Sequence, residues 1–129
     1  MIIGMDHVAI ATTDLNKVVD FYTSVLGFEK GERYEMGDRG MTIQFLKAPG
    51  VQLELFGYSR KVEQADRTAL QAGLVHLAIK VRKLDELRES LRKKGITFEG
   101  EPRVAMMGQR IVFLRDPDGN RIELSEWPE

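Results

Sequence analysis

The chain of 129 residues contains no cysteine, almost no net charge and no long apolar run. Without cysteine it has no disulfide, no thiolate metal ligand and no cysteine nucleophile. A formal net charge of -1 provides no general attraction to nucleic acid or to an anionic membrane surface. The N-terminus shows no signal-peptide pattern, and no apolar run approaches the ~20 residues that cross a bilayer. We therefore expect a soluble cytoplasmic protein that acts on a small molecule and binds neither nucleic acid nor membrane.

Histidine is also scarce, and the two histidines occupy equivalent positions in a sequence that occurs twice. Residues 4–10 read GMDHVAI, and residues 73–79 read GLVHLAI. Each copy also ends on a glutamate between two aliphatic residues, as LEL at 53–55 and IEL at 122–124. The duplication predicts one domain over residues 1–129, with module one at 1–58, a linker at 59–72 and module two at 73–129.

Both modules show the pattern of a β-α-β-β-β unit. Alternating apolar residues predict strands, Asp14 is a suitable N-cap for the first helix, and Gly27 is a suitable residue to end it. Module one is expected to have strands near Asp6–Thr12, Phe28–Tyr34, Met41–Leu46 and Val51–Phe56, with a helix carrying Leu15, Val18, Val19, Tyr22, Val25 and Leu26. Module two is expected to have strands near Val75–Val81, Thr97–Gly100, Gln109–Leu114 and Arg121–Ser125, with a helix carrying Leu84, Leu87 and Leu91.

Four residues on these strands form a candidate metal site. Side chains alternate between the faces of a strand, so each helix packs on an aliphatic face while His7, Glu54, His76 and Glu123 all point to the opposite face. Taken singly, a strand histidine is usually a packing residue and a strand glutamate is usually solvated. Together, one His and one Glu per module predict a site for one divalent ion, most readily Ni²⁺, Co²⁺ or Zn²⁺, with Mn²⁺ or Fe²⁺ next.

Several motifs carry a family resemblance that spans nearly the whole chain outside the linker. They are HVAI at 7–10, DFYTSVLGF at 20–28, LEL at 53–55, HLAI at 76–79 and FLRDPDGNRIEL at 113–124. With these motifs the chain resembles the glyoxalase I-like group of the vicinal oxygen chelate superfamily. The resemblance implies an α+β fold in which two βαβββ modules form a curved mixed-sheet cup around a metal. It also implies a His, Glu, His, Glu ligand set, which falls on His7, Glu54, His76 and Glu123, and a homodimer.

The activity implied by the resemblance is that of a metal-dependent lyase or isomerase. The expected substrate is the hemithioacetal of methylglyoxal and a thiol, converted by proton transfer through an enediolate, with Glu123 as the first candidate base and Glu54 as the second. Methylmalonyl-CoA epimerase-like members remain an alternative, because they usually have glutamine in a module-one strand and this chain has Gln44 and Gln52. A metal-dependent dioxygenase and a small-molecule-binding module are further alternatives. Fosfomycin-inactivating members are disfavoured by Glu54, and bleomycin-binding members by the metal set.

Overall fold

The computed structural model describes residues 1–129 and divides into two compact units, Met1–Asp66 and Arg67–Glu129. Each unit has one mixed four-stranded sheet and one main helix. Unit one contains β1 (Val8–Ala11), α1 (Leu15–Asp20) continued by a π-helical turn (Phe21–Val25), β2 (Glu29–Met36), a short 3₁₀ helix (Gly37–Arg39), β3 (Met41–Ala48) and β4 (Val51–Tyr58). Unit two contains β5 (Leu77–Lys80), α2 (Leu84–Lys93), β6 (Phe98–Val104), β7 (Arg110–Arg115) and β8 (Arg121–Glu126). The predicted α+β class with two βαβββ modules is confirmed.

The two sheets have the same strand order. Unit one is ordered β1-β4-β3-β2 and unit two β5-β8-β7-β6. The first strand of each unit runs parallel to the last, while the other neighbours are antiparallel. A parallel pair needs a crossover connection, and α1 and α2 lie in those connections. The strand that follows each histidine is therefore an edge strand beside the strand that carries the glutamate.

Each unit has its own core between the helix and one face of the sheet. The predicted aliphatic faces are confirmed, because the residues that flank Glu54 and Glu123 on β4 and β8 are almost fully buried. The side chains with at most 1% exposure include Val18, Tyr22, Leu46, Leu53 and Leu55 in unit one and Leu84, Leu91, Leu114, Ile122 and Leu124 in unit two. The opposite face of each sheet is thus left to the histidines and glutamates.

Several element boundaries differ from the sequence-based expectation. β1 and β5 begin one residue after each histidine and are only four residues long, because each is an edge strand that pairs on one side. β2 extends to Met36, because its antiparallel pairing with β3 continues to Met41. The linker segment 59–72 contains no helical turn. No helix is both long enough and apolar enough to span a bilayer.

The two helices begin in different ways. In unit one the Asp14 side chain accepts a hydrogen bond from the Lys17 backbone N–H at 3.2 Å, as the sequence predicts. In unit two the residue before the helix is Lys83, whose backbone is left-handed and whose side chain makes no cap. The Leu84 N–H is bonded instead by Glu126 Oε2 at 2.9 Å, from the end of β8. A strand residue distant in sequence replaces the local cap.

Gly57 occupies the position in unit one that Glu126 occupies in unit two, three residues after the module glutamate. A Cβ atom at Gly57 would lie 2.8 Å from Leu15 Cβ and 2.9 Å from Leu15 Cδ2. Because Leu15 Cβ is fixed to the helix backbone, the start of α1 would have to move. We expect Gly57→Ala to lower the free energy of unfolding by about 1–3 kcal/mol, measured by urea denaturation.

Gly37→Ala is the matched control for this prediction. A Cβ at Gly37 meets nothing within 4 Å, and its φ is not positive. Its stability should stay within about 1 kcal/mol of the parent, with any change toward higher stability. Equal stabilities of the two variants would show that Gly57 is not needed for helix packing.

Candidate active site

In unit one, His7 and Glu54 lie together on the sheet face opposite the helix. His7 comes directly before β1, and Glu54 lies in β4 opposite Ala9 of the parallel pair. His7 Nε2 is 3.9 Å from Glu54 Oε1. Both side chains are partly accessible, since the sheet face around them carries no helix. The predicted first pair of metal ligands is therefore close in space within this unit.

Unit two holds the equivalent pair. His76 comes directly before β5, and Glu123 lies in β8 opposite Ala78. His76 Nε2 is 3.2 Å from Glu123 Oε2. The Glu123 side chain is 12% exposed, against 17% for Glu54, so both carboxylates are largely screened from water. The same chemical pair is thus built twice, from equivalent positions of the repeat.

Asp6 also belongs to this site, although no sequence motif predicts it there. Its Oδ2 lies 2.5 Å from His7 Nδ1. The hydrogen bond to Asp6 raises the pKa of the His7 imidazole above its ordinary value; desolvation opposes this rise and the charge of Glu54 adds to it. A neutral His7 that donates from Nδ1 to Asp6 presents an unprotonated Nε2, which is the arrangement that carboxylates impose on metal-binding histidines. The sequence feature that could have indicated this role for Asp6 is its position directly before His7.

An aromatic ring stands beside each histidine. The His7 and Phe45 rings are 6.1 Å apart, and the His76 and Phe113 rings are 5.5 Å apart, both edge to face. Phe45 pairs with Glu54, and Phe113 pairs with Glu123, in the strand register. These rings shield one side of each pair from water. Their equivalence was visible in the repeat, where IQFL at 43–46 matches IVFL at 111–114.

The two glutamines considered for an epimerase-like site lie on different faces. Gln44 pairs with Leu55 and is buried on the helix side of the sheet. Its amide nitrogen donates to the Gly31 carbonyl at 3.1 Å and the Phe45 carbonyl at 2.9 Å, where β2 shifts register. Gln52 shares the face of Glu54, two residues before it. Gln44 therefore stabilises an irregular strand and does not face His7.

The donor set fits a borderline divalent ion. Imidazole nitrogen and carboxylate oxygen are ligands of Zn²⁺, Ni²⁺ and Co²⁺, and each unit offers one of each at a mutual distance that an ion can bridge. Neither unit by itself brings together three or more side chains of the metal-binding types. Each unit therefore supplies one histidine and one glutamate as possible ligands.

Comparison with known protein families agrees with these features. The family model of the Glyoxalase/Bleomycin resistance protein/Dioxygenase superfamily matches residues 4–124, which include both His/Glu pairs. The chain belongs to this superfamily. The recognition made from the sequence motifs is confirmed at this level.

Individual relatives fall into two catalytic groups. The chain is 29% identical to an ethylmalonyl-CoA/methylmalonyl-CoA epimerase of Cereibacter sphaeroides, over 93% of both chains. It is 28% identical to a lactoylglutathione lyase of Escherichia coli O157:H7, over 93% of this chain and 90% of the relative. Among solved structures, a glyoxalase family protein from Enterococcus faecalis superposes with a TM-score of 0.83 at 30% identity, covering 96% of this chain and 98% of the other. These relatives include an epimerase and a lyase at nearly equal identity, so they do not distinguish the two activities.

Proposed function

We propose that this protein is a metal-dependent lyase or isomerase of the glyoxalase I (lactoylglutathione lyase) type. Its substrate is the hemithioacetal of methylglyoxal and a thiol, and the reaction moves a proton between adjacent carbons through an enediolate. The observation that carries the proposal is the duplicated pair of a histidine Nε2 and a carboxylate oxygen, at 3.9 Å and 3.2 Å, on the open face of each sheet. This proposal joins the two pairs into one site of four protein ligands.

In this site His7, Glu54, His76 and Glu123 hold one divalent ion, with Ni²⁺, Co²⁺ or Zn²⁺ preferred. When bound, such an ion supplies Lewis-acid stabilisation to oxygen atoms that gain negative charge. Asp6 keeps the Nδ1 proton of His7 in place, so that Nε2 is free to act as a ligand. Phe45 and Phe113 limit access of water to the two pairs.

Glu123 is the proposed base. It must accept a proton from one substrate carbon and return it to the neighbouring carbon, which requires a carboxylate that is positioned and poorly hydrated. Glu123 has the lower exposure of the two glutamates and lies in β8, a strand paired on both sides. Glu54 is the second candidate, because it stands at the equivalent position of β4.

A second candidate function is epimerisation of a methylmalonyl-CoA-like thioester. The identity of 29% to an epimerase over 93% of both chains supports the epimerase function. The lactoylglutathione lyase relative supports the glyoxalase I-type function to a similar degree. The chemistry is related, because both reactions remove a proton next to a carbonyl. The same pairs would serve, with one carboxylate on each side of the reacting carbon.

One experiment separates these functions. Metal content is measured in protein purified without chelator, and the same sample is assayed with the methylglyoxal hemithioacetals of glutathione and bacillithiol. In parallel, methylmalonyl-CoA is incubated with the protein in deuterated water, and deuterium at the reacting carbon is followed by mass spectrometry. We expect stoichiometric metal and hemithioacetal turnover. Deuterium exchange without hemithioacetal turnover would identify the epimerase, and tight binding without metal or turnover would identify a binding module.

We also expect a symmetric homodimer. Each sheet has two edge strands that pair on one side only, β1 and β2 in unit one and β5 and β6 in unit two, and exposed edges favour association. Light scattering at micromolar concentration should give twice the chain mass of 14.7 kDa. A species of 14.7 kDa under those conditions would rule out the dimer.

A further inference from the structure

We propose that Arg121 is a specificity-determining residue that binds a carboxylate of the substrate. The inference rests on the proposed function, since it places this carboxylate beside the His76/Glu123 pair. Arg121 is two residues before Glu123 on β8, so both side chains emerge from the same face, roughly 6.6 Å apart along the strand. Because Leu77 pairs with Ile122, Arg121 lies in the row of the sheet next to His76.

The Arg121 guanidinium is held in place but retains free donors. Its Cζ lies 3.6 Å from the centroid of the Phe113 ring, which is the ring beside His76. Its Nε donates to Glu99 Oε2 at 3.1 Å. The two terminal nitrogens have no hydrogen-bond partner within the protein, and about a third of the side chain is exposed. Stacking and one hydrogen bond fix the plane of the fork, and the fork remains available for two parallel hydrogen bonds to a planar anion.

The charges around Arg121 favour an anion of single charge. Glu99 is shared with Arg115, whose Nε donates to Glu99 Oε1 at 2.6 Å. Two arginines therefore face one carboxylate, and this cluster carries one net positive charge. The negative charge of Glu123 opposes an incoming anion, and a metal ion held by the proposed site would offset that charge. One uncompensated positive charge matches a singly charged carboxylate better than a phosphate, and the planar fork can bind that carboxylate through two hydrogen bonds.

The repeat shows which part of this arrangement is particular to unit two. The histidine, the glutamate and the phenylalanine are each present in both units. The position two residues before the glutamate differs between the units, because it is Gln52 in unit one and Arg121 in unit two. The residue before the histidine also differs, as Asp6 in unit one and Val75 in unit two, but this change adds no cation. The proposed metal ligands and the aromatic rings beside them occur in both units, whereas the cationic group at this position occurs in unit two alone. The single arginine would bind one end of an unsymmetrical substrate and so set its direction in the site.

The test compares Arg121→Gln, which introduces the residue type of unit one, with Gln52→Ala as the matched control. The probe is butyrate, a singly charged carboxylate, titrated by calorimetry into the metal-loaded protein at low and high salt. We expect the Kd to rise about tenfold to hundredfold for Arg121→Gln, as for the loss of charge-assisted hydrogen bonds, and to stay unchanged for Gln52→Ala. Arg121→Lys should fall between them, because it keeps the charge but not the fork. The Tm of each variant reports any structural effect separately.

Equal butyrate affinity in the parent and in Arg121→Gln, or no binding by the parent, would overturn the inference. Inorganic phosphate that binds more tightly than butyrate would overturn the assignment to a carboxylate. Loss of the proposed function appears differently, as absence of metal or of turnover in the parent protein, whatever the effect of Arg121→Gln on butyrate binding.

Discussion

Glu123→Gln is expected to abolish most of the activity while leaving most of the metal in place. An amide oxygen can still coordinate the ion, but it cannot accept the substrate proton at neutral pH. General base catalysis typically contributes ~10²–10⁴ to the rate, so kcat should fall by at least that factor. The measurement is steady-state kinetics with the glutathione hemithioacetal of methylglyoxal, on samples whose metal content has been determined.

Glu54→Gln is the matched comparison, because Glu54 occupies the same position in the repeat and faces His7 as Glu123 faces His76. We expect its kcat to fall less than that of Glu123→Gln. An inactive Glu54→Gln beside a nearly unaffected Glu123→Gln would reverse the two roles. Equal and large losses in both would indicate a base function shared by the pair.

Replacing either histidine is expected to remove the metal. His7→Ala and His76→Ala each delete a nitrogen ligand and leave an unfavourable carboxylate-rich site for a borderline ion. Elemental analysis after purification without chelator should show substoichiometric metal in each variant and none in the double variant. The activity should fall in parallel with the metal.

Asp6→Asn is expected to have a metal affinity between those of the parent protein and of His7→Ala. It keeps all four ligands but weakens the hydrogen bond that orients His7, and changes of this kind typically cost 10–100-fold in metal affinity. The order of affinities should therefore be parent, Asp6→Asn, His7→Ala. Stoichiometric metal in the double histidine variant would remove these residues from the ligand set.

The strand faces were predictable because they depend on a local rule. Alternation along β4 and β8 is enough to separate Leu53 and Leu55 from Glu54, and the same holds around Glu123. The repeat then identified the two histidines as equivalent without any knowledge of the fold. The motifs within residues 4–124 identified the superfamily for the same reason, because they are contiguous in sequence.

Other features depend on contacts between distant residues, which no local pattern shows. Glu126 caps α2 from the end of β8, 42 residues away in sequence. Gln44 satisfies carbonyls at the register shift of β2, although its position suggested a ligand. The stacking of Arg121 on Phe113 is likewise not visible in the sequence, because it requires the pairing of β7 with β8. The full ligand set and the base remain predictions.

The position of each histidine just outside a four-residue edge strand has a consequence for how the proposed site would exchange its ion. The glutamates lie in strands hydrogen-bonded on both sides, whereas the histidines precede strands bonded on one side. Local opening is easiest where a segment has few hydrogen bonds and frays at an end. Dissociation of the ion would then begin when the segment before β1 or β5 frays and its histidine imidazole moves away. The carboxylates would still bind the ion at that stage. The release rate would be set by fraying of the sheet margin, and mutations that tighten β1 or β5 would lengthen the residence time of the ion without altering any ligand.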